Sequence, residues 1–112
     1  MWANLTAPIT FTGAGTVVAV AAPSDYRRIA VVSFHVQVDA VCTLQFKDGT
    51  SALTGVVPQV AGGGWIYNPL YGGPMNANYW WVGSVNTALN LVVVGSANGG
   101  GLIQYRLIGE SR

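Results

Sequence analysis

The chain has very little charge. Of its 112 residues five are Lys or Arg and four are Asp or Glu, 8% in all, with a formal net charge of +1. Globular chains ordinarily carry about a quarter charged residues. A domain of this mass exposes roughly 5,900 Å², so even with every charged side chain outside there is about one charge per 650 Å². So thin a coat of charge points to an outside that largely meets other protein subunits. The longest basic cluster is Arg27-Arg28, which gives no footprint for nucleic acid.

Other absences narrow the class further. One cysteine, Cys42, excludes an intrachain disulfide. No uninterrupted apolar run approaches the ~20 residues of a membrane helix, so no membrane partner is expected. Met1 to Thr6 lack a basic and then apolar run before Pro8, so no secretory signal is expected, and the sequon Asn4-Leu5-Thr6 carries little weight without one. The Lys, Glu and Arg that coat exposed helices are nearly missing. Fifteen glycines and five prolines, among many Val, Thr and aromatic residues, argue instead for short strands and tight turns.

The residues that carry chemistry are also sparse. The single histidine, His35, accompanies Asp25, Asp39, Asp48 and Glu110. In a strand, His35 and Asp39 share a face but stand roughly 13 Å apart, and Ser33 lies about 7 Å from His35. A Ser-His-Asp site needs direct contact, and no G-x-S-x-G elbow occurs. An enzyme is not expected. One His and one Cys make no zinc site, and no acidic loop fits calcium. Gly13-Ala14-Gly15 and Gly62 to Gly64 precede no helix with a phosphate-binding lysine. No catalytic residue, metal or cofactor is expected.

Residues 1 to 15 read as an extended arm, in which Trp2, Leu5, Ile9 and Phe11 favour pinning to a neighbour. Residues 16 to 112 read as one domain. Thr16 to Ala21 is a short apolar strand stopped by Pro23-Ser24-Asp25. From 29 to 39, Val32, Phe34, Val36 and Val38 alternate with Ser33, His35, Gln37 and Asp39, the period of a sheet with one buried face. Cys42, Leu44 and Phe46 repeat the pattern before a hairpin turn at Asp48-Gly49. Weaker strands follow at 50 to 57, 65 to 67 and 79 to 82, then stronger ones at 89 to 94 and 102 to 108, with a turn signal at Asn98-Gly99. About eight short strands with frequent turns predict an all-β, jelly-roll-like β-sandwich.

Trp65, Tyr67, Tyr71, Tyr79, Trp80 and Trp81 fall within seventeen positions around a Gly/Pro-rich stretch. Near Asn68, Asn76 and Asn78 they could stack on a saccharide. They could instead anchor a protein interface, where Trp and Tyr are enriched, or fill the core. In a strand Trp80 and Trp81 point to opposite faces, so one of the two is expected in the core.

Residues 42 to 58 (CTLQFKDGTSALTGVVP), the aromatic-Asn-Pro stretch at 65 to 70, and Ala88-Leu89-Asn90-Leu91 followed by Gly101-Leu102-Ile103-Gln104-Tyr105 resemble small virion proteins of tailed bacteriophages. The resemblance spans about two-thirds of the chain and is one of turns and strands. Head decoration or cement proteins are among those it resembles. That implies a sandwich trimer on the virion surface, with itself and the major capsid protein as partners. The interface residues expected on this reading are Trp2, Leu5, Ile9 and Phe11, with Trp65, Tyr67, Tyr71, Trp80 and Trp81. The alternatives are a glycan-binding module of a tail or fibre and another head- or tail-associated subunit.

Overall fold

The computed structural model describes residues 5–24, 26–67 and 79–109. Among them there is no helix, and ten strands follow one another: β1 (Leu5–Thr12), β2 (Gly15–Val20), β3 (Arg28–Val38), β4 (Cys42–Asp48), β5 (Ser51–Ala52), β6 (Val57–Gln59), β7 (Gly64–Tyr67), β8 (Trp81–Val82), β9 (Leu89–Val94) and β10 (Asn98–Ile108).

The strands form two antiparallel sheets. Sheet I runs β1-β10-β3-β7, with β8 also on β3; sheet II runs β2-β9-β4-β5, with β6 also on β4. The outer edge of each sheet beside β3 or β4 is therefore one strand split in two. Counting each split edge once gives eight strands. Their pairing is nested: β1 with β10, β2 with β9, β3 with β7 and β8, β4 with β5 and β6. This is a long hairpin ribbon folded over on itself so that successive pairs fall in alternate sheets, the jelly-roll form of the β-sandwich.

Between the sheets lies one core. Ile29, Val31, Val36, Leu44, Phe46, Leu89, Leu91 and Ile103 are fully buried. In β4 the inward set is Cys42, Leu44 and Phe46, as the alternation requires. In β3 the pattern changes phase. Ile29 and Val31 point inward at its start and Phe34, Val36 and Val38 at its end. The ladder to β10 shifts between Gln104↔Ser33 and Tyr105↔Val31, leaving Val32 as the extra residue of a bulge. Val32, expected inside with Phe34, is for that reason only half-buried.

Two expectations are corrected. Within the expected arm of residues 1 to 15, Leu5–Thr12 is pinned not to a neighbour but into the domain itself: it is β1, paired with β10 from Leu5↔Tyr105 to Thr12↔Asn98. Asn98-Gly99 is not a turn either. It opens β10, and the chain turns just before it, where Gly95 has φ +120°. Glycine is required deeper in that strand, because a Cβ on Gly101 would collide with the His35 carbonyl oxygen of β3.

Candidate interaction surface

Two of the arm residues expected at an interface are core residues. Ile9 is 2% exposed and Phe11 5% exposed, because odd-numbered positions of β1 face sheet II. Leu5 at the start of β1 stays exposed. Trp2 and Tyr71 lie outside the described residues, as do Asn68, Asn76 and Asn78.

The aromatic residues turn mainly toward one another. Phe34 of sheet I is the hub, with ring centroids 4.6 Å from Trp80, 5.1 Å from Phe46, 5.3 Å from Trp65 and 6.4 Å from Tyr67. Phe46 of sheet II also meets Trp65 at 5.2 Å and Trp80 at 5.6 Å. Edge-on and tilted contacts of this kind add to the area each ring buries. Trp81 pairs with Val31 and packs on the core as well, so both tryptophans of the pair face inward, against the expectation that one would not. All four indole and phenol side chains are half-buried. They close the side of the sandwich beside β7 and β8.

The polar residues are occupied with structure. Ser33 Oγ donates to Gln104 Oε1 at 2.9 Å, so its proton is not offered to His35. The Asp48 carboxylate accepts from Ser84 N–H and Oγ–H, the latter at 2.6 Å. Asp39 Oδ1 accepts from Asn98 N–H at 2.7 Å, and Asn98 Oδ1 accepts from Gly13 N–H at 3.2 Å, tying three turns together. Burial, with a smaller contribution from the Asp39 charge, pushes the Cys42 thiol above its ordinary value. Among the described residues no three His, Cys, Asp or Glu side chains gather closely enough to hold a metal ion.

Strand addition is obstructed at both long edges. Gly13 N–H donates to Ala97 O at 2.8 Å, which fixes the phase of the β1 ladder: the odd residues bond to β10 and the even ones turn their backbone groups outward. Pro8, in the middle of that outward set, supplies no N–H. On β2 the ladder to β9 shifts between Val18 and Val20. A proline and a bulge are both devices that keep an edge from pairing with another chain.

The broad outer faces are what remains. On sheet I one row crosses all four strands as Pro8, Leu102, His35 and Ile66. Beside it Gln37, Asp39, Asn98 and Gly99 to Gly101 line a shallow groove of about 480 Å³. Thr6, Thr10, Ser33 and Gln104 complete a mixed face, on which Asp39 and, by the alternation of β10, Arg106 carry charge and Ile66 is 65% exposed. Sheet II differs. Its rows read Val18-Asn90-Lys47, then Thr16-Val92-Gln45, then Val94-Thr43-Pro58. Val56 and Val60 flank Pro58, and Val41 flanks Thr43. Val18, Val41, Val56, Val60 and Val94 are 58–72% exposed.

Charge is sorted along the strands. Arg27, Arg28, Lys47, Asp48 and Arg106 lie toward the end where β3 starts and β4 and β10 finish. At the opposite end, among the described residues, Asp39 is the one charged side chain. Val41, Val56, Val60 and Val94 reach from the middle of sheet II to that nearly neutral end, while Val18 lies in the Lys47 row at the other. Sequence reasoning passed over them because valine is the commonest of strand residues. The signal was present in Val56-Val57-Pro58 and Val92-Val93-Val94, where valines occupy both phases of a two-residue period and one phase must face out.

No protein-family model matches the chain, and neither a curated protein nor a solved structure was found to match it.

Proposed function

We propose that this chain is a non-enzymatic structural subunit that associates with copies of itself and decorates a phage head, in the manner of the virion proteins it resembles. One observation carries the reading: a jelly-roll sandwich with one outer face on which, among the described residues, Lys47 is the one charged side chain and five valines are more than half exposed. Contiguous apolar surface of this kind marks contact with protein. Many such contacts, each weak, become strong when repeated over a symmetric lattice.

The aromatic residues then serve the fold rather than the contact. Docking falls to the faces. The test is the mass of the protein in solution, by size-exclusion chromatography with light scattering over a range of concentrations. A dimer or trimer is the expected result, followed by binding to purified heads. A monomer at every concentration would overturn self-association.

A further inference from the structure

We infer that a second copy of this chain seats on the outer face of sheet II, against Val41, Val56, Pro58, Val60 and Val94. The inference rests on the self-association proposed above and assigns it a surface.

Three features argue for a second copy as the occupant. The first is composition. At the nearly neutral end the outward positions on β9, β4 and β6 carry Val92, Val94, Thr43 and Pro58, extended by the flanking valines, while Gln45, Asn90 and Lys47 lie toward the other end. That end is rich in β-branched residues, as the inner faces are, where sheets stack about 10 Å apart. Two such faces can stack on each other as a further pair of layers.

The second is charge. Lys47 is the one charged side chain on this face and lies in its last row, beside Asn90 and Val18. Two copies meeting over the Val94-Thr43-Pro58 row bury no charge and meet no like-charge repulsion. A charge-free apolar face is complementary to itself, whereas a partner with an ordinary charged surface would leave its own ions desolvated.

The third is area. Four strands make a face roughly 19 Å wide, and the length of β4 makes it about 24 Å long. The product, about 460 Å² with the Lys47 row included, is a little over half of the roughly 800 Å² that each partner contributes to a stable pair, and Val41, Val56 and Val60 beyond the ladders add to it. The sheet I face is of similar extent, but its polar groove around His35, Gln37, Asp39 and Asn98 suits water.

The experiment compares the mass of the full chain with that of three double variants. Val56→Lys with Val94→Lys places two ammonium groups in the proposed contact. Val41→Lys with Val60→Lys does so at positions outside the ladders, where folding is least disturbed. Ile66→Lys with Leu102→Lys charges sheet I as the control. Circular dichroism and a thermal melt report the fold of each. The expected result is a folded monomer from either sheet II variant, with the dissociation constant raised about a hundredfold or more, and an unchanged oligomer from the sheet I variant. If the unmodified chain is an oligomer and both sheet II variants keep its mass, this assignment is wrong while self-association stands. Should the unmodified chain be a monomer that binds heads through these valines, the occupant is the shell, and the second copy is excluded along with self-association.

Discussion

Sheets I and II are each built from three long strands and a split edge, and each buries an unbroken set of apolar side chains against the other. Their outer faces nevertheless differ. Sheet I mixes threonine, glutamine, serine, histidine and a run of glycine backbone with Asp39, Leu102 and the exposed Ile66; sheet II gathers five exposed valines around Thr43, Gln45, Asn90 and Lys47. Since both inner faces answer to the same requirement, the close packing of one core, the difference cannot come from folding. It arises at positions where folding is indifferent, and there the solvated choice was made on one face and the apolar choice on the other. Exposed valine contributes only its modest strand propensity to an isolated sandwich, and its concentration on sheet II fits the contact proposed for that face.

Substitutions can test how sharply inside and outside are separated. The largest effect is expected at the central strand of sheet I. Gly101→Val should abolish cooperative unfolding or lower stability by about 3 kcal/mol or more, because its Cβ would meet the His35 carbonyl. Gly55→Ala beside sheet II has open space around it and should stay within about 0.5 kcal/mol of the parent, or rise by ~0.4–1 kcal/mol. Chemical denaturation reads both. If Gly101→Val melts like the parent, the close approach of β10 and β3 is wrong.

Next come two neighbours on β3 that face opposite ways. Phe34→Ala removes the hub of the aromatic cluster and should cost about 3–5 kcal/mol. His35→Gln, on the outer face, should change stability by less than about 0.5 kcal/mol. Equal effects would mean that the two faces are not separated as described.

The smallest effect is a dependence on pH. Cys42 points into the core from sheet II, and burial holds its thiol above the ordinary value of 9.0. The native chain therefore keeps this proton where the unfolded chain has begun to release it. The stability associated with it is fully present below pH 9 and declines as pH rises through the native value. Native protein at pH 8 should react slowly with iodoacetamide and the denatured chain quickly. Rapid labelling of the native protein would show Cys42 to be accessible.

Much of the sandwich was legible, and the misreadings have identifiable causes. β4 was plain because Cys42, Leu44 and Phe46 keep one phase throughout. β3 was legible in extent but not in phase, since nothing in Ile29-Ala30-Val31-Val32 reveals which apolar residue is the extra one. β1 reads as part of an arm because Pro8, Gly13 and Gly15 stand among Thr and Ala residues. Yet Ala7, Ile9 and Phe11 alternate with Thr6, Pro8, Thr10 and Thr12, and the proline stands where no N–H is needed. The aromatic cluster leaves saccharide stacking, protein contact and core filling all open in the sequence, because large rings gathered near glycine suit each. Their partners, Phe34 and Phe46, are distant in sequence and could be recognised only once the two sheets were stacked. The valine face was hidden for the opposite reason, that each valine looked ordinary alone.

The position of β10 has a consequence for the time at which this protein can exist as a fold. It lies between β1 and β3 in sheet I, yet it is the last of the ten strands to leave the ribosome. Until residues 98–108 emerge, β1 has no neighbour in its sheet, and Ile9 and Phe11 have no finished core to enter. A chain with contacts this distant in sequence folds slowly compared with one built from local contacts. Nascent copies side by side on one message would meanwhile hold valine-rich strands in the open, and crowding them invites the wrong partners. Residues 98–108 must therefore be made before sheet I can close over β1 and bury Ile9 and Phe11.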